Sequence, residues 1–89
     1  MVRYQQNPDV ACQVFADEAV LIAARSSQMY SLNPTATIIW QALAQPRTAT
    51  QVADAVSAVF EVDAARALAD VSGFLADFAD RDLIQTIAL

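Results

Sequence analysis

The dipeptide Asn33-Pro34 constrains this sequence more than any other feature. Proline fixes its own φ and biases the preceding residue toward extended backbone, yet it is well tolerated in the first turn of a helix. Asn33 supplies a side chain suited to capping that turn. The hydrophobic pattern changes at this point. Before it, apolar residues alternate or cluster in runs of strand length; after it, they recur at three and four residues. The pair therefore marks a junction between a β half and an α half.

In the β half, residues 10–15 alternate imperfectly, with Val10, Cys12 and Val14 set against Ala11, Gln13 and Phe15. Cys12 reads as a small core residue of this strand. Asp17-Glu18 forms a tight connection. Ala19 to Ala24 is an apolar run of strand length, although its alanines leave a helix open as the competing reading. Arg25-Ser26-Ser27 is a second turn, and Gln28 to Leu32 is a third strand. Short turns between consecutive strands favour an antiparallel meander. Residues 1–8 are polar and end in Asn7-Pro8, the pattern of an N-terminal arm before a single domain over residues 9–89.

In the α half, Ala36, Ile39, Trp40 and Leu43 share a face, and the first helix stops before Gln45-Pro46. Thr48 and Gln51 have the spacing of a capping box for a second helix, with a stripe of Val52, Val56, Val59 and Phe60. Asp63 caps a third helix running to about Arg81, and residues Leu83 to Leu89 form a short extended tail.

The third helix has three arcs. Ala64, Ala67, Leu68, Val71, Phe74, Leu75 and Phe78 form a core arc. Arg66, Asp70, Asp77, Asp80 and Arg81 form a charged arc, which reads as a solvated face. Ala65, Ala69, Ser72, Ala76 and Ala79, bordered by Leu68, form an arc of small side chains that lets another backbone approach closely. The plainer reading of that arc is alanine bias, since alanine makes up about a fifth of the 89 residues.

The 10 acidic residues outnumber the 5 basic ones, all arginine, for a net charge of -5. Nucleic acid and anionic membrane surfaces are disfavoured as partners, because both require clustered cations. One cysteine and no histidine exclude the usual soft metal sites and Cys-His nucleophile pairs. The single Gly73 excludes a glycine-rich phosphate loop, and without lysine there is no Schiff base. The composition points away from an enzyme, a metal or a cofactor. With no apolar run long enough for a signal peptide or a membrane span, a cytoplasmic protein is expected.

The order of three strands and three helices, with Leu32-Asn33, Ile39-Trp40, Thr48, Phe74-Leu75-x-x-Phe78 and Leu83-Ile84 in register, resembles the PqqD-like family. Those domains recognise leader peptides in pathways that modify ribosomally made peptides. The resemblance runs from about Val10 to Ile84, with one departure: the helix-ending position usually held by glycine is Asp82. It implies an α+β, winged-helix-like domain, with an N-terminal three-stranded antiparallel sheet followed by three helices. It also implies that a leader adds as a strand beside the third strand, opposite the third helix. Carried over by position, the edge is Gln28, Met29, Tyr30 and Ser31, and the opposing wall is Leu68, Ser72, Leu75, Ala76 and Ala79.

The implied function is a non-catalytic peptide-binding module that presents its leader to a processing enzyme. The lasso-peptide pathway, with a leader protease as partner, is the first choice among branches. A quinone-cofactor or radical-enzyme pathway is the alternative, with winged-helix DNA binding and a purely structural subunit behind it. A free strand edge also makes a weak strand-swapped dimer an alternative to a monomer.

Overall fold

The computed structural model describes residues 1–88. Its elements in order are β1 (Val2–Gln6), β2 (Val10–Phe15), β3 (Glu18–Ala23), β4 (Gln28–Leu32), α1 (Pro34–Ala42), α2 (Ala49–Val59), α3 (Ala64–Asp80) and β5 (Ile84–Ala88). The fold is α+β, with β2, β3 and β4 forming the antiparallel meander in that order. Its third strand, in the numbering of the sequence reading, is β4.

The junction forms as its residues dictate. The Asn33 carboxamide oxygen accepts the Ala36 N–H at 2.8 Å, and Pro34 occupies the first turn of α1. Ala36, Ile39, Trp40 and Leu43 are all buried. Thr37, absent from that stripe, is buried as well. Its hydroxyl accepts the Ala19 N–H at 3.0 Å and donates to the Leu32 carbonyl at 3.4 Å. Because Ala19 and Leu32 are register partners, this one side chain fastens α1 to the end of the β3–β4 ladder.

The other caps follow the sequence too. Thr48 and Gln51 form a reciprocal capping box, and the Asp63 carboxylate accepts the Arg66 N–H at 2.9 Å. Around them, Ala19 and Leu21 of β3 meet Trp40, Val52, Val56, Val71, Leu75 and Phe78 in one core. Trp40 meets Phe78 edge-on, with ring centroids 6.5 Å apart. A tryptophan buried to this degree removes enough apolar surface to contribute about 4–6 kcal/mol.

Four features differ from the sequence reading. Residues of the expected arm form β1, which pairs antiparallel with β5 from Val2↔Ala88 to Gln6↔Ile84. The arm is thereby part of the domain's body. The same pairing turns the extended tail into a strand, and Leu89 of that tail lies outside the described residues. Cys12 is exposed, because β2 is an outer strand of the meander and all of it after Val10 is exposed. On the helices, Val59 is 58% exposed at the last turn of α2, Leu68 is 38% exposed, and Ala64 at the start of α3 is exposed as well, so none of the three belongs to the core.

The end of α3 fixes the geometry that follows. Leu83 N–H bonds to the Phe78 carbonyl at 2.9 Å and Asp82 N–H to the Ala79 carbonyl at 3.1 Å, a Schellman closure. Asp82 takes the left-handed conformation this closure needs, with φ of 57°. Asn7 secures the turn from outside, donating its side-chain N–H to the Asp82 carbonyl at 2.8 Å. Asp82 carries both a side chain that disfavours positive φ and a negative charge at the negative end of the helix dipole. Asp82→Gly is therefore expected to stabilise the fold by about 1 kcal/mol, raising a thermal midpoint by about 4–8 °C. Calorimetry of the two proteins checks it.

Candidate functional site

Every strand residue sends its N–H and C=O to one side, and successive residues alternate sides. Three contacts fix this alternation for the meander. Ala24 N–H bonds to the Asp9 carbonyl at 3.3 Å, flanking the Val10↔Ala23 pair and marking it as non-hydrogen-bonded. The Ala23 carbonyl instead accepts Ser27 N–H at 2.8 Å on the β4 side. At the other end, Ala19 and Leu32 face each other across the Thr37 hydroxyl. Gln28, Tyr30 and Leu32 thus direct their backbones to β3. Met29 and Ser31 direct theirs outward, where β4 has no strand neighbour.

Beside this free edge runs a cleft, its far side formed by α3. A cavity of about 350 Å³ is lined by Met29, Tyr30, Ser31 and Leu32 of β4, Asn33 and Ala36 of α1, and Phe74, Asp77, Phe78, Arg81 and Leu83. The α3 contribution is one stripe at spacings of three and four, as a single helix face requires. The Arg81 guanidinium lies 5.2 Å from the centre of the Tyr30 ring. Its Nε also donates to Asp77 Oδ1 at 3.0 Å. Tyr30 in turn donates its hydroxyl hydrogen to the Gln28 side-chain oxygen. A chain of polar contacts therefore spans the cleft from α3 to β4. On the other side of this contact lies a second cavity, of about 540 Å³, which Tyr30 and Arg81 also line and which extends over the sheet to Ala23 and Val10.

The structure brings together only part of the expected site. Gln28, Met29, Tyr30 and Ser31 stand along the cleft as one edge. The expected opposing wall does not face them. Leu75 is in the core, Ala79 is half-buried, and Leu68, Ser72 and Ala76 are exposed on another side of α3. At about 100° per residue, Ala76 lies about 160° around the helix from Phe74. The residues that do face β4 are Phe74, Asp77, Phe78 and Arg81. Their signal in the sequence was the border of two arcs, where aromatic side chains adjoin Asp77 and Arg81.

What this arrangement offers is main-chain hydrogen bonding beside a wall that joins the Phe74 ring to the Asp77 and Arg81 side chains. Among the described residues no group of three or more His, Cys, Asp or Glu is placed to hold a metal ion. No described helix is long and apolar enough to cross a membrane.

Comparison with known proteins gives the following. The family model described as coenzyme PQQ synthesis protein D (PqqD) matches residues 18–84. A solved structure of TbiB1 in complex with the TbiA(beta) leader peptide resembles this fold with a TM-score of 0.84 and 23% identity, over 91% of this chain and 94% of that one. A lasso peptide synthetase B1 complexed with the leader peptide gives a TM-score of 0.79 and 22% identity, over 92% and 96%. At these identities the likeness establishes the fold. No curated protein sequence matches the chain.

The backbone assignment makes a direct prediction for the free protein. Amide exchange resolved by residue is expected to be fast at Met29 and Ser31 and slow at Tyr30 between them. Equal protection at all three would contradict the free edge.

Proposed function

The chain belongs to the PqqD family, and from that premise we propose that it is a non-catalytic module that captures the leader of a ribosomally made precursor peptide. The leader pairs as a strand with β4 and lies in the cleft against α3. The observation that carries this reading is the outward backbone of Met29 and Ser31 beside a cleft walled by Phe74, Asp77 and Arg81. An extended peptide satisfies both at once: its main chain completes the ladder, and alternate side chains enter the cleft. The solved relatives described as leader-peptide complexes support the same use of this fold.

On this reading the cleft edge is Gln28, Met29, Tyr30 and Ser31, and the wall is Phe74, Phe78 and Arg81. The small-residue face with Ser72 and Ala76 lies outside it. The partner that receives the bound leader is a processing enzyme, and a lasso-type leader protease is the favoured one, since both relatives above carry leader peptides and one is a lasso peptide synthetase. The module would act in the cytoplasm, where such precursors are made. A second reading, delivery of a precursor to a radical or quinone-cofactor enzyme, draws on the family model's own description. It uses the same cleft and differs only in which peptide binds.

Titration of fluorescein-labelled leader peptides, with the TbiA(beta) leader and a PQQ-precursor peptide in the panel, separates these readings. Wild type is expected to bind a lasso leader and to gain amide protection at Met29 and Ser31. Proline on an edge strand removes one outward N–H without breaking the internal ladder. Met29→Pro should therefore weaken binding by about tenfold, the equivalent of one lost hydrogen bond. Ala76→Trp should leave binding unchanged. Binding of the PQQ-precursor peptide alone would favour the second reading. No binding across the panel, or binding that ignores Met29→Pro, would count against strand addition.

A further inference from the structure

The cleft beside β4 is not one continuous trough. Tyr30 and Arg81 line both of its cavities, and their stacked side chains stand between them. We infer that Arg81 is a specificity-determining strut, which divides the cleft and restricts the peptide to a small side chain at its middle inward position. This inference rests on the reading of β4 as the peptide-receiving edge.

In a strand added beside β4, every second side chain turns toward α3. Those opposite Leu32, Tyr30 and Gln28 share the face of the Tyr30 ring. The side chain opposite Leu32 enters the 350 Å³ chamber beside the half-buried Phe74 ring, which is suited to an apolar group. The 540 Å³ chamber lies beyond the strut, over the face of the sheet, where Val10 and Ala23 line it together with Asn7, Asp80 and Gln85. The position opposite Tyr30 meets the guanidinium on its ring.

That guanidinium is not free to withdraw without loss. The Asp77 carboxylate holds its Nε at 3.0 Å, and the Tyr30 hydroxyl is tied to Gln28. A strand with a bulky inward side chain there must displace the stacked pair. A strand with glycine, alanine or serine passes beneath it. The peptide class is therefore an extended segment with an apolar side chain and, two residues from it, a small one.

The strut is separable from folding, because the Arg81 side chain is 47% exposed and Asp77 52% exposed. A tryptophan scan along the tightest-binding leader of the panel, run against wild type and Arg81→Ala, tests the assignment. In wild type, one inward position should lose at least about tenfold in affinity on substitution by tryptophan, the effect of a steric clash of modest size. In Arg81→Ala that penalty should fall to within about threefold, with the thermal midpoint unchanged. Arg81→Lys, with a shorter and non-planar head group, should give partial relief. The same scan profile in wild type and Arg81→Ala would overturn the strut while leaving strand addition standing. If wild type fails to bind the unsubstituted peptide, the peptide-receiving reading falls, and the strut with it.

Discussion

The unpaired backbone of Met29 and Ser31 is the constraint around which this small domain is arranged. An exposed strand edge ordinarily invites unwanted pairing. Here it is set beside a helix at the distance of a cleft rather than packed against it. Two contacts maintain that separation. Thr37 fixes the C-terminal end of β4 to α1 through Ala19 and Leu32. Trp40 of α1 meets Phe78 of α3, so the helix that forms the wall is held by the core and not by β4 itself. The end of α3 is then fixed by its left-handed Asp82 and by Asn7, which follows β1. Residues at the N-terminus thereby help position a wall far away in sequence.

Local chemistry made much of this legible in advance. Asn33, Thr48 and Asp63 each cap a helix with a side chain whose partner is three residues away, so sequence spacing suffices to find them. The stripe of Ile39, Trp40 and Leu43 is equally local. The pairing of β1 with β5 joins opposite ends of the chain, and nothing in Val2–Gln6 announces a partner more than seventy residues away. The exposure of Cys12 follows from the place of β2 as an outer strand, which its alternating pattern does not encode. Asp82 was identified as a residue in a glycine's place, and its φ of 57° is what that position requires.

The wall of the cleft shows the limit most clearly. A helical wheel divided α3 into three arcs but placed the exposed Ala64 and Leu68 in the core one, and it carried no information about which neighbour lies beside each. Small side chains made the arc of Ser72 and Ala76 attractive as a groove wall. The fold leaves that arc largely to solvent, where alanine serves helix propensity, and turns Phe74, Phe78 and Arg81 toward β4. Phe74 stands beside the cleft at the border of the charged arc, and Asp77 and Arg81 supply the polar contact across the gap.

Strand addition derives its attachment from main-chain hydrogen bonds, which are alike for any sequence, and its selectivity from the chambers beside the edge. What identifies strand addition is therefore position: where the peptide backbone lies. Isotope-filtered NOE spectroscopy on labelled protein with an unlabelled leader peptide measures this directly. Cross-peaks from the peptide's amide and Hα protons to the backbone of Met29, Tyr30 and Ser31, with side-chain contacts to Phe74 and Phe78, are the predicted result. A bound peptide whose contacts fall on the β2 edge or on the Ser72 and Ala76 face of α3 would contradict the account.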